Sequence, residues 1–388
     1  MRELFLLDPG IVFLNHGSFG ACPTEVLAAQ HAWQREMERN PVEFLGRRSG
    51  ALLAASRERL AAYLGARAGD LVFLANATTG VNTVARSLDL RAGDEVLTTD
   101  HEYGACDAAW EFACRRSGAR YVRVEIPLPF AAGEFADRLL AAVTPRTRVV
   151  FASHIASTTG LIFPVGELCE RAREMGVLTM IDGAHAPGHV PLSLDALGAD
   201  FYAGNCHKWL CAPKGAGFLH VRPENHARLD GVVVSWGYCA EVEGHTGFDA
   251  YTGSTVLERR HQWQGTRDLS AFLAVPAAID FQAGHGWDEV RPRCHALLGE
   301  TRDRIRARTG LAPICADRDF GQMVAIALPP CDPEALRAAL FERHRIEVPI
   351  TTHRGRQFVR PSFQGYNTRA DADALVAALA GELRLARS

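Results

Sequence analysis

The sequence predicts an α/β fold built around a mostly parallel sheet. Between about residues 70 and 220, short β-branched and aliphatic runs alternate with amphipathic stretches of helical length. The chain has 388 residues, more than one compact core usually holds, which predicts two domains. Its composition, 47% hydrophobic and 22% charged, suits a globular protein able to cover both faces of such a sheet.

Seven strand candidates follow in order: 71–75, 95–99, 121–126, 148–153, 177–182, 200–203 and 217–221. Helical patterns lie between them at 81–87, 106–116, 135–143 and 166–175. Around 223–265 the pattern weakens into a Gly-, Trp- and charge-containing loop. A long helical stretch is expected over 270–307, then a strand over 323–328, a helix over 333–344 and a last helix over 370–385. The expected domains are a large one over 21–284 and a smaller one over 285–388, with residues 1–20 packing on the latter.

The net charge of −3 argues against nucleic acid or an anionic membrane as partner. No apolar run approaches the ~20 residues of a membrane span. Glu3 and Asp8 come too early for a signal peptide, so the expected address is cytoplasmic. Ten scattered cysteines, with no Cys-x-x-Cys pair, read as reduced thiols.

Three motifs sit just after predicted strands, where α/β sheets collect ligands. Asn76-Ala77-Thr78-Thr79-Gly80 opens a helix with small and hydroxyl residues. Free N–H groups and the helix dipole there suit a phosphate, although Thr78 as a plain helix cap explains the same residues. Asp182 ends an apolar run and suits a buried cation such as a protonated pyridine nitrogen; a loop acid or helix cap is the alternative. Asn205-Cys206-His207-Lys208-Trp209 places a lysine between an imidazole and an indole, a partly desolvated setting that lowers an amine pKa and favours Schiff-base chemistry. A solvated surface lysine is the competing reading.

In this order the motifs resemble the class V aminotransferase family of fold-type I enzymes, which use pyridoxal 5′-phosphate (PLP). The Asp182-Gly183-Ala184-His185 and His207-Lys208 blocks carry the likeness. Leu14-Asn15-His16-Gly17-Ser18-Phe19-Gly20, Asn40-Pro41-Val42-Glu43-Phe44 and Trp263-Gln264-Gly265-Thr266-Arg267-Asp268 point to the isopenicillin N epimerase-like branch. The resemblance implies a large PLP-binding domain, a smaller α+β domain and a homodimer sharing its active sites. It implies that Lys208 is the Schiff-base lysine and that Asp182 meets the pyridine nitrogen. Ala77, Thr78 and Thr79, with Asn205 and His207, would hold the phosphate, and Thr266 would reach the neighbouring subunit's phosphate. Tyr103 or His101 would stack on the ring, and His185 would meet its phenolic oxygen.

Arg360 would grip a substrate carboxylate, because its planar fork pairs with both oxygens. Asn15, His16 and Ser157 would line the substrate pocket, with Ser157 standing where related desulfurases have asparagine. No cysteine occurs in Thr351-Thr352-His353-Arg354-Gly355-Arg356, so the sulfur-accepting thiol of a desulfurase is missing. The expected reaction is epimerisation or racemisation at Cα of an amino-acid-like substrate; C–S lysis and transamination are the alternatives. A second acid–base group opposite Lys208 would be Tyr103, His101 or His16. Ser235–Tyr238 and Asn40–Phe44 could shape the side-chain pocket or a dimer interface. A metal-dependent hydrolase using Asp182, His185 and His189 is the reading from a different class.

Overall fold

The computed structural model describes residues 1–239 and 253–385. A two-residue strand near the N-terminus, β1 (Val12–Phe13), pairs in parallel with β10 (Ile346–Glu347), so the first residues join the C-terminal part of the chain.

The main sheet has seven strands: β2 (Leu71–Leu74), β3 (Glu95–Thr99), β4 (Arg120–Val124), β5 (Thr147–Ser153), β6 (Leu178–Gly183), β7 (Phe201–Asn205) and β8 (Gly217–Val221). Their order is β2-β8-β7-β6-β5-β3-β4. Every expected strand is present, with ends within two residues of the sequence reading. Only β8 runs against its neighbours; the other pairings are parallel.

Strands β2, β3, β7 and β8 are buried along their whole length, and β5 and β6 along all but one residue each, which is why they read as runs rich in apolar residues. Period two then divides them between two cores. Val72, Leu74, Val149, Phe151 and Met180 face the helices Ala77–Ser87 and Gly104–Ser117. Phe73, Val150, Ile181 and Tyr202 face the other layer, which includes Ser49–Leu64 and Val165–Glu174. A fully buried Val, Ile or Phe in either layer contributes about 1.5–3 kcal/mol.

Outside this sheet the sequence reading needs correction. The expected helix over 270–307 is three: Ser270–Leu273, Val275–Gly284 and Trp287–Thr309. The last begins after Gly286, whose φ of 63° interrupts the run. The strand expected over 323–328 shrinks to β9 (Ile326–Ala327), joined by an isolated bridge from Met323 to Ser362. The expected loop over 223–265 contains the helix Val256–Gln262, capped by Thr255 and Glu258; its residues 240–252 lie outside those described. The helices Pro333–His344 and Arg369–Glu382 close the chain much as expected. Among the described residues no helix is long and apolar enough to cross a membrane.

The segment in which a desulfurase would carry its thiol is a tight hairpin. β11 (Ile350–His353) and β12 (Arg356–Val359) pair antiparallel, with His353 opposite Arg356. The two turn residues, Arg354 and Gly355, have φ of 50° and 75°. Arg360 follows β12 directly and is fixed by it.

Candidate active site

At the carboxyl ends of the parallel strands lies a pocket of about 210 Å³. It is lined by residues delivered from six places: Ser18 and Phe19 from the N-terminal arm, Asn76–Thr78 after β2, Tyr103 after β3, Ser153–Ser157 around the end of β5, Asp182–His185 at the end of β6 and Asn205–Lys208 at the end of β7. Such a convergence follows from the topology, since each parallel strand points its C-terminal loop the same way.

Lys208 lies at its base. Its Nζ is 3.1 Å from His185 Nε2. Burial pulls the lysine pKa down to about 8, against the opposing pull of Asp182, while Arg360 lowers it further. The hydrogen-bond chemistry demands the same state. Trp209 Nε1, which can only donate, lies 3.2 Å from His185 Nδ1. A neutral His185 therefore carries its proton on Nε2 and donates it to Lys208, which must offer a lone pair. Burial also holds the His185 pKa well below its usual value. Trp209 thus selects the tautomer that matches a neutral lysine.

Asp182 is buried opposite. It accepts from the Ala184 N–H at 2.9 Å and faces the Cys106 thiol at 3.3 Å. Burial raises its pKa, and no ion pair to it occurs among the described residues. A carboxylate so placed is short of a cation.

At the phosphate end, Asn76 rather than Thr78 caps the helix Ala77–Ser87, accepting from Thr79 N at 2.8 Å and Thr79 Oγ1 at 3.1 Å. That corrects two expectations: Thr78 is left facing the pocket, and Thr79 turns its hydroxyl to Asn76 and is not among the lining residues. Asn205 faces the pocket while accepting from Ala77 N at 2.8 Å. His207 is anchored by Nδ1 to the Ala216 carbonyl at 2.8 Å, and burial lowers its pKa to about 4.

Arg360 is 5% exposed and has no ion pair among the described residues. It donates to the Ser157 carbonyl and reaches Ser18 Oγ at 3.5 Å, and its Nε has no partner. Burial lowers its pKa to about 10.

Several expected residues stand elsewhere. His16 is wholly buried behind Lys208, with Nδ1 on Tyr366 Oη at 2.9 Å and Nε2 on the Lys208 carbonyl at 3.0 Å. It braces the lysine backbone and does not line the pocket. Asn15 is tied to Glu347 and Ser18, also behind the wall. His101 is buried between the Ile126 carbonyl, at 2.9 Å, and Thr159, so of the two candidates Tyr103, 46% exposed, is the one that lines the pocket, together with exposed Phe19. Thr266 is exposed and apart from this chain's pocket.

The metal-hydrolase arrangement is contradicted. His189 spends Nδ1 on the His185 carbonyl at 3.1 Å and Nε2 on Gln322 N at 2.6 Å, leaving no ligand atom. Ser153, Ile155 and Ala184 also line the pocket. Their strand-end positions were the available signal, but their small side chains carry none.

Sheet topology, a buried lysine at a strand end and a facing carboxylate define a class, the fold-type I enzymes. The chain matches the family "Aminotransferase class-V" over residues 12–375 and belongs to it. Its cofactor is therefore PLP. The chain is 42% identical over 385 residues to isopenicillin N epimerase of Amycolatopsis lactamdurans, covering 97% of this chain and 96% of that one. With isopenicillin N epimerase of Streptomyces clavuligerus the identity is 40% over 383 residues, at 97% and 96% coverage. A solved C-DES variant, with glycine covalently linked to its PLP cofactor, shares the fold at a TM-score of 0.83 and 22% identity, covering 98% of this chain and 99% of that one.

The residues present fit PLP. The cation-poor Asp182 suits a pyridinium N–H, the N-terminus of Ala77–Ser87 suits a phosphate, and Lys208, its pKa lowered to about 8, suits the carbonyl carbon.

Proposed function

We propose that this enzyme inverts Cα of an amino acid or amino-acid-containing substrate, as an epimerase or racemase. The likeness to two isopenicillin N epimerases across 97% of the chain carries this reading. The hairpin before Arg360, which offers no thiol, supports it against sulfur transfer.

In this reading Lys208 and Asp182 would hold PLP at its two ends, with Thr78, Asn205 and His207 around the phosphate and Tyr103 against the ring. When bound, PLP supplies a conjugated system that takes up the electron pair released at Cα. Arg360 binds the substrate carboxylate; its fixed fork meets both oxygens and gains the counter-ion it lacks. That contact orients Cα–H toward Lys208, whose lowered pKa lets Nζ accept the proton near neutral pH and return it. His185 holds Nζ in place while it waits. Tyr103 is the group we assign to the other face, since His16 and His101 are buried in other contacts.

We further propose a homodimer in which exposed Thr266 completes the partner's phosphate site. The deciding experiment incubates the holoenzyme with L- and D-amino acids and small peptides in heavy water. Deuterium at Cα with inversion supports the proposal. Pyruvate with a released thiol would replace it by C–S lysis, and a keto acid by transamination.

A further inference from the structure

At the opposite end of the main sheet a second cavity, of about 410 Å³, opens beside His220. His220 lies on β8, paired with Leu71 at the start of β2. It is 2% exposed, and neither ring nitrogen has a hydrogen-bond partner. Two carboxylates share the cavity wall with it: Asp70, immediately before β2, and Asp195, in the first turn of the short helix Leu194–Leu197. One ligand atom from each of the three lies within 4.8 Å of the other two.

We propose that Asp70, Asp195 and His220 bind one divalent transition-metal ion, with zinc as the chemical fit. An imidazole with two carboxylates is a donor set for zinc rather than for calcium or magnesium, which prefer all-oxygen sites. Tetrahedral zinc needs its donors about 3.3 Å apart; His220 Nε2 and Asp195 Oδ1 already stand 3.4 Å apart.

The ion would take the place of His226 beside Asp70. Asp70 is engaged on one oxygen by Arg67 at 2.7 Å and approached on the other by His226 at 3.2 Å. His226 Nε2 also meets the Val221 carbonyl at 3.0 Å. Arg222 is drawn to Glu224 at 2.6 Å. Asp195, half exposed, has His220 as its one ion-pair contact among the described residues and lines the cavity.

The other such cluster among the described residues, Asp100 with His101 and His353, is less suited because His101 Nε2 is bonded to the Ile126 carbonyl, whereas both His220 nitrogens lack a hydrogen bond. The ion at His220 would tie the Leu194–Leu197 helix to two strands far from Lys208. Its role is to hold the fold, not to take part in turnover.

The test titrates chelator-treated holoenzyme with Zn²⁺ by calorimetry and follows thermal unfolding. One zinc per chain and a raised Tm are expected, with kcat unchanged. Asp195→Asn, at a solvent-facing position that keeps the fold, should weaken binding at least tenfold, and His220→Gln should abolish it. Co²⁺ in place of Zn²⁺ should show no thiolate charge-transfer band. No binding, unchanged affinity in Asp195→Asn, or a thiolate band from the cysteines would each overturn the proposal.

Discussion

The pH at which Lys208 becomes reactive tests the core of the site. An ordinary lysine, with a pKa near 10.5, is about 0.1% neutral at pH 7.5. With Lys208 at about 8, the neutral fraction is roughly a quarter, a gain of roughly 200-fold. Attachment of PLP to the apoenzyme needs the neutral amine. Its rate should therefore rise with pH only up to about 8 and then level off, whereas that of a free lysine derivative measured beside it keeps rising to about 10.5, so the ratio of the two is flat below about 8 and falls above it.

Trp209→Phe keeps the ring that stacks on His189, 4.0 Å away, but removes the donor to His185 Nδ1. His185 can then place its proton on Nδ1 and accept from a protonated lysine. The hydrogen bond that enforces the tautomer is worth about 1 kcal/mol net. The Lys208 midpoint should move up by about 0.7 of a pH unit. Stopped-flow absorbance of PLP capture across pH 6–11 reads both values. A wild-type midpoint near 10.5 would refute the burial argument. A midpoint unmoved or lowered in a folded Trp209→Phe protein would refute the tautomer argument.

Arg360→Met should separate stability from function. The buried guanidinium lacks a counter-ion, so the apoenzyme should keep or raise its Tm, whereas kcat/KM should fall by roughly 10² or more as charge-assisted bonds to the substrate are lost. Calorimetry and steady-state kinetics check the two halves.

Gly20→Ala should cost PLP binding: φ there is 72°, and a Cβ would stand 2.2 Å from the His207 carbonyl and 2.9 Å from Lys208 Cα. PLP content after dialysis is the readout.

Glu102 is buried, with only the hydroxyls of Thr99 and Ser153, at 2.6 Å each, for partners among the described residues, and burial raises its pKa to about 8. The folded state therefore holds a proton that the unfolded state has lost between about pH 4.5 and 8, so this group's contribution to stability falls as pH rises through that window. Glu102→Gln should flatten the fall, measured as the urea midpoint at pH 5, 7 and 8.5. An unchanged slope would exclude Glu102 as its source.

Most of the seven strands were legible because burial on both sides leaves short runs of β-branched, aliphatic and aromatic residues, although Arg120, Arg123 and Arg148 are exposed within β4 and β5. The pocket's skeleton was legible for a related reason. Lys208, Asp182 and the Asn76–Thr79 turn each follow such a run, and a parallel sheet delivers every strand end to one side. The helix over 270–307 was misread because each of its three pieces has ordinary helical composition, and only the backbone at Ala274 and Gly286 shows the breaks.

Which side chains face the pocket was settled by packing between distant parts of the chain. His16 and Lys208 are separated by 192 positions, yet their contact turns an expected pocket residue into a brace. The choice of Tyr103 over His101 likewise depends on the Ile126 carbonyl, to which His101 is committed. Even the cap at Asn76 depended on which of two neighbouring side chains reached the free N–H of Thr79. The sequence by itself determined the order of strands and the kind of chemistry at their ends, because burial and turn propensity are local. Tertiary structure decided direction, tautomer and partner, because a side chain's hydrogen bonds are completed by whatever the fold brings beside it.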